Sequence, residues 1–291
     1  MEHRGALLAM LAGLCYGLVG FFGMSIIKAD CSVSAMLFWR FFVSSLFMAV
    51  VLIPKYRTLV PIDRQSIQAF LYGMLFYGTS TTLYFIASLY IGTGLAMVIF
   101  FTFPAFVMLI NAAFYKVVIR KIYYLALALM TFGLAFLVNP ENISLDLYGI
   151  ALSVLCAGLY GCYIAASKRI SVPPMLSTFM VSLGCMTASL LFALFDSSLA
   201  LPQSFSCWID IIAMGLICTA IPILLLLQCF TYISSEKASM LTVLEPVFVV
   251  IFGILLLDEE MTAYKLSGII IILSGALITL LSDKAKEIKE N

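Results

Sequence analysis

The stretch EKASMLTVLEPVFVVIFGILLL, residues 236–257, places a carboxylate inside a run otherwise apolar enough to cross a bilayer. A hydrocarbon core of about 30 Å takes roughly 20 helical residues to span, and Glu245 falls within that length with Pro246 directly after it. Proline has no backbone N–H and its ring crowds the carbonyl four residues earlier, here that of Thr242. The pair therefore predicts a kink beside a charge held in lipid. A twin stretch lies upstream: TGLAMVIFFTFPAFVMLINAAFYK, residues 93–116, carries Pro104, which stands 142 residues before Pro246. The same offset relates Gly73 to Gly215, Tyr90 to Tyr232, Ala96 to Ala238 and Gly133 to Gly275, so the chain reads as an internal duplication.

Composition agrees with a membrane interior. Of 291 residues 64% are hydrophobic and 11% charged, with a mean hydropathy of +1.14, whereas soluble domains are about half apolar. Net charge is +1 and no basic run is interleaved with aromatics, which argues against a nucleic-acid partner. The single histidine, His3, sits in the N-terminal tail, and no CxxC pair occurs among the eight cysteines, so neither a metal site nor a cofactor is expected. Cys15, Cys156, Cys162, Cys185, Cys218 and Cys229 fall inside apolar segments and read as small filler. Only Cys31 and Cys207 fall near segment ends, where a disulfide is feasible.

Apolar runs of membrane length occur at 6–27, 33–53, 67–88, 92–115 and 122–138, then at 147–166, 175–195, 208–231, 238–257 and 265–281. The first is longer than a signal-peptide core and no small-x-small cleavage site closes it. The expected fold is an all-α integral membrane protein with ten transmembrane helices. Residues 1–139 form the first five-helix repeat and 140–291 the second, joined by the polar linker 139–146. With both termini in the cytoplasm, the inner loops hold Arg4, Lys55, Arg57, Arg64, Lys116, Arg120, Lys121, Lys168, Arg169, Lys237, Lys284, Lys286 and Lys289. The outer loops then hold only Lys28 and Lys265, the bias the positive-inside rule requires. The acidic group Asp258, Glu259 and Glu260 then lies outside. An odd number of helices per repeat makes the second enter the membrane in the opposite sense, an architecture typical of secondary transporters working by alternating access. No P-loop of the GxxxxGK[ST] type is present to drive transport with ATP.

Several further features converge. Tyr16-Gly17 and Tyr160-Gly161 recur near the end of the first helix of each repeat, Phe38-Trp39-Arg40-Phe41 opens the second helix, and Glu245-Pro246 lies in the ninth. Together with the inverted repeat, this set resembles the drug/metabolite transporter superfamily, its EamA branch in particular, over essentially the whole chain. The resemblance implies a carrier of small metabolites, such as amino acids, amines or nucleobase-like compounds, across the cytoplasmic membrane. It also implies a central cavity made by the first four helices of each repeat, with the fifth and tenth packed outside. Two departures stand out: Phe103-Pro104 replaces the acidic pair in the first repeat, and the fourth helix ends in Phe114-Tyr115-Lys116 without the glutamate found in many relatives.

Glu245 and Arg40 are the charges that fall clearly within lipid, where each costs on the order of 3 kcal/mol at the centre, so each must face a cavity or a partner. Glu245 either binds a cationic substrate group or a proton, or it ties helices together, with Arg40 as one available mate. Arg40 reads first as a structural tie, since a guanidinium satisfies several acceptors at once. Pro104, Pro222 and Pro246 are expected to kink helices and serve as hinges. Tyr16, Trp39, Tyr77, Tyr84 and Tyr160 are candidate substrate contacts on cavity-lining helices, each with packing as its plainer reading. The amides of Asn111 and Gln228 need partners in an apolar setting, either another helix or the substrate. Small residues at Gly13 and Gly17, and at Ser267, Gly268, Ser274 and Gly275, mark faces for close helix packing, with a homodimer through the tenth helix as a subsidiary expectation. The expected function is secondary transport of a small polar metabolite. A passive channel and a lipid flippase are the alternatives. A membrane-embedded enzyme comes last, because the paired aspartates, histidines or Ser–His set it would need within lipid are missing.

Overall fold

A chain in lipid must satisfy its backbone polar groups internally, and the described residues form helices joined by short turns, with no strand among them. The computed structural model describes residues 2–54, 63–138, 145–257 and 260–281. Residues 139–144 of the linker, and Lys55, Arg57, Asp258, Glu259, Lys284, Lys286 and Lys289, lie outside the described residues. The first half contains α1 Glu2–Lys28, α2 Val33–Leu52, α3 Arg64–Ile91, α4 Thr93–Tyr115 and the shorter α5 Lys121–Ala135. The second half contains α6 Leu147–Ser167, α7 Pro174–Phe195, α8 Phe205–Cys229, α9 Ser235–Leu257 and α10 Ala263–Leu281. Among the described residues nine of these are apolar and long enough to cross a membrane, and α5 is the tenth, shorter apolar helix. Side chains punctuate the starts: Ser32, Asp63, Asp146, Ser204 and Ser234 each accept a hydrogen bond from a backbone N–H three residues on.

The two halves interlock rather than stand side by side. Helix α1 packs on α8 and α9, while α6 packs on α3 and α4; α2 lies along α7, and α5 along α10. Glycines permit the closest approaches. A Cβ on Gly17 would stand 2.7 Å from Phe248 Cβ, and one on Gly161 would stand 2.7 Å from Phe106 Cβ. Phe106 and Phe248 are 142 residues apart, so the same contact is made twice, each time by the first helix of one half against the fourth of the other. At the periphery, a Cβ on Gly268 would fall 2.7 Å from Gly133 O and one on Gly275 2.9 Å from Ala126 O. The glycine face of α10 is therefore used within the chain, against α5. The adjacent Ser267 and Ser274 are exposed and return their hydroxyls to the carbonyls of Ala263 and Ile270.

Helices α3 and α8 widen at matching registers, over Gly73–Gly78 and Leu216–Ala220, into a π-helical turn. Such a turn leaves carbonyls short of donors. Thr79 Oγ1 donates to Met74 O at 3.0 Å, and Thr219 Oγ1 donates to Met214 O at 2.9 Å. In α8, Pro222 removes the N–H that Cys218 O would accept, and Arg40 from α2 replaces it. Its Nη2 donates to Cys218 O at 3.0 Å and its Nε donates to Thr219 Oγ1 at 2.6 Å. Arg40 thus links α2 to the widened turn of α8, and among the described residues it makes no ion pair with Glu245.

Two outcomes follow from this packing. Gly17→Leu overfills a site whose neighbours are backbone and Cβ atoms, at a cost of about 1–3 kcal/mol, whereas a Cβ on Gly20 of the same helix meets nothing within 4 Å. Thermal unfolding in detergent should therefore show a lowered midpoint for Gly17→Leu and an unchanged one for Gly20→Leu. Arg40→Ala leaves the buried Cys218 carbonyl without a donor, a loss of about 1–3 kcal/mol, and is expected to lower the same midpoint.

Candidate functional site

The kinks expected at Pro104 and Pro246 are full breaks. Helix α4 runs as Thr93–Phe100 and then Phe103–Tyr115, and α9 runs as Ser235–Thr242 and then Glu245–Leu257. Matching turn bonds bridge the gaps. Thr102 N donates to Ile99 O at 3.1 Å and Ala105 N to Thr102 O at 2.8 Å; in α9, Leu244 N donates to Leu241 O at 3.3 Å and Val247 N to Leu244 O at 3.0 Å. One proline costs one ladder bond, but its ring also displaces the preceding turn, so the chain tightens into three-residue turns and restarts. Each restart exposes a helix N-terminus inside the bundle, where backbone N–H groups carry partial positive charge.

Glu245 is the first residue of the restarted half of α9; the equivalent residue in α4 is Phe103. Glu245 is half-buried, and its carboxylate is enclosed by the bundle within electrostatic reach of Arg40, Tyr77, Tyr84, Tyr160 and Cys218. Among the described residues it has no hydrogen-bond or ion-pair partner. A carboxylate without a mate in this setting demands one.

Aromatic side chains from four helices meet beside it. Tyr77 Oη donates to Tyr16 Oη at 3.2 Å, and the Tyr77 ring stacks on Tyr163 at 4.9 Å and meets Tyr160 edge-on at 5.3 Å. Tyr160 packs on Phe103 at 4.8 Å and on Phe100 at 5.3 Å, and Phe100 in turn contacts Tyr84 at 5.5 Å. Four of the five aromatics singled out from the sequence, Tyr16, Tyr77, Tyr84 and Tyr160, are thus gathered here. Tyr163 was not singled out, although its spacing of three from Tyr160 puts both on one face of α6 and is the signal that finds it. The Tyr163 hydroxyl and the neighbouring Ser167 Oγ are buried with no hydrogen bond of good geometry.

The remaining candidates go elsewhere. Trp39 lies at one end of the bundle, its Nε1 donating to Ala200 O at 2.9 Å and its ring 5.1 Å from that of Trp208. Asn111 is buried and donates from Nδ2 to Ser235 Oγ at 2.9 Å and to Glu236 Oε1 at 2.6 Å, so its partner is the start of α9. Gln228 is exposed on α8. Pro222 stands just after the widened turn of α8, where Arg40 compensates for it. Glu236 and Lys237, at the edge of the apolar run, are also buried, at 5% and 4% exposure, so Glu245 and Arg40 are not the only charges withdrawn from water. Near them Lys168 Nζ donates to the carbonyls of Phe230 and Ile233, and Lys237 Nζ lies 3.8 Å from Glu2 Oε2.

No curated protein matches this sequence. A crystal structure of another chain, 16% identical, superposes with a TM-score of 0.81 over 99% of this chain and 100% of that one, a likeness of fold. A family model described as the EamA-like transporter family matches residues 3–139 and 147–281. Those two matches take in both broken helices and the aromatic cluster between them, and the chain belongs to the EamA-like transporter family, the EamA branch of the drug/metabolite transporter superfamily.

Proposed function

We propose that this member of a membrane transporter family is a secondary transporter for a small polar metabolite bearing an amine. The substrate binds between the broken α4 and α9 and is exposed to either side in turn, across the cytoplasmic membrane with both termini inside. The observation that carries this reading is Glu245: a carboxylate with no partner among the described residues, set at a helix restart and flanked by tyrosines. An ammonium group satisfies the carboxylate while the aromatic faces of Tyr77 and Tyr160 attract the same cation through their ring quadrupoles. Hydroxyls of Tyr16 and Tyr77 supply polar contacts to the rest of the molecule. A proton satisfies Glu245 when substrate leaves, so exchange of one for the other gives a driving force without ATP. The breaks at Pro104 and Pro246 support a rocking motion, because a turn held by single three-residue bonds bends with less loss than an intact helix ladder.

Counterflow in proteoliposomes tests it, with amino acids, nucleobases, nucleosides and polyamines loaded in turn. Saturable exchange of an amine-bearing compound is expected. A charge-assisted hydrogen bond is worth about 1.5–3 kcal/mol and about 1.4 kcal/mol is tenfold, so Glu245→Gln should reduce that exchange roughly tenfold or more. Full exchange by Glu245→Gln would return the residue to a packing role, and linear, unsaturable flux would replace the carrier with a pore.

A further inference from the structure

The bundle end that carries Trp39 and Trp208 is laced across the two repeats by hydrogen bonds. Ser25 Oγ donates to Asp210 Oδ2 at 2.6 Å, Ser32 Oγ to Ser198 O at 3.0 Å, and Ser34 Oγ to Asp196 Oδ2 at 2.6 Å. Cys31 lies between Ser25 and Ser32 on the turn joining α1 to α2, and Cys207 lies between Ser198 and Asp210 in the first turn of α8. Both are buried, at 9% and 2% exposure, both are free thiols, and they are close enough to act on each other electrostatically. Five of the other cysteines fall within membrane-spanning helices away from the ends and Cys229 closes α8 at the end opposite Cys207, so this pair is set apart by position.

We propose that Cys31 and Cys207 form a reversible disulfide that staples the first repeat to the second at this end and arrests their relative motion. The site takes a disulfide oxidant, such as oxidised glutathione. One thiolate attacks the oxidant's S–S bond and releases a thiolate that picks up a proton. The second thiol, losing its proton, attacks the mixed disulfide, forms the Cys31–Cys207 bond and releases the second reduced glutathione. Two protein thiols are oxidised and one external disulfide is reduced to two thiols. Burial pushes the Cys31 thiol up to about 11, so exchange is slow at neutral pH and quickens as pH rises toward that value. The charged groups around the pair are Lys28 and Asp30 on its own turn, Asp196 in the segment before α8 and Asp210 along α8. The state of the pair in cells rests on the orientation proposed above, which puts this end on the non-cytoplasmic side, where thiols oxidise. Its chemistry in vitro does not.

The full-length protein in detergent is treated with oxidised glutathione, digested, and read by mass spectrometry beside its thermal unfolding midpoint. A Cys31–Cys207 linked peptide is expected, forming faster with each step in pH, raising the midpoint and reversed by dithiothreitol; Cys31→Ser and Cys207→Ser should give neither the peptide nor the shift. Separate glutathione adducts on the two thiols without a linked peptide, or a linked peptide that leaves the midpoint unchanged, would overturn the proposal. Counterflow of a substrate found above should stop on oxidation and resume on reduction. A chain that forms the staple yet moves no tested substrate removes the transport reading and leaves the staple standing.

Discussion

Everything in this bundle answers to the need of each backbone N–H and C=O for a partner where no water is available. Unbroken helices meet it by default. Among the described residues the helices are not regular at five places: the π-helical turns at Gly73–Gly78 and Leu216–Ala220, the gaps at Phe101–Thr102 and Val243–Leu244, and a turn at Leu18 in α1. Several of these departures recruit a substitute. Thr79 and Thr219 hydroxyls fill carbonyls in the widened turns, Arg40 fills the one that Pro222 orphans, and Gly13 lets α1 press against the gap in α9 near Thr242 O. The irregular backbone and the aromatic cluster are one arrangement, since the helices that break are those the first helix of the opposite repeat covers.

The nine helices of membrane length among the described residues were legible because an apolar run of about 20 residues has one outcome in lipid, while α5 is a shorter apolar helix. The offset of 142 that relates Pro104 to Pro246 also foretold the matched breaks and, through Gly73 and Gly215, the matched widened turns. What the residues did not reveal was partner choice. Asn111 and Gln228 are both amides in apolar helices, yet one is buried against Ser235 and Glu236 while the other is exposed, a difference set by how α4 and α8 are rotated about their axes. Trp39 and Tyr16 look alike as candidates but lie at different depths, because Trp39 belongs to the first turns of α2 and Tyr16 to the middle of α1. Tyr163 was missed because its neighbour Tyr160 already accounted for the motif. The expected kinks are full breaks because a proline's effect on the preceding turn depends on what packs there, here Gly13 against Thr242 O in α9 and Gly161 against Phe103 O in α4.

The burial of Glu236 and Lys237 has a similar origin. They stand at the edge of an apolar run, where sequence suggests a wet helix start. The interlock carries α1, α4 and α6 over that start, and Asn111, Glu2 and Lys168 then supply the polar surroundings that water would have provided. Both ends of the bundle are thus closed by polar contacts between repeats, while the middle is closed by rings.

Phe103 and Glu245 occupy the same register in two halves of matching helix order. Any motion that exchanges the roles of the halves therefore swaps a greasy pivot for an ionic one. In the rocking motion proposed above, the two resting positions would differ in their hold on a cation, and that electrostatic difference would be lost when the carboxylate is neutralised. Duplication supplied the mirror, and the carboxylate that only one half carries at this register tilts it.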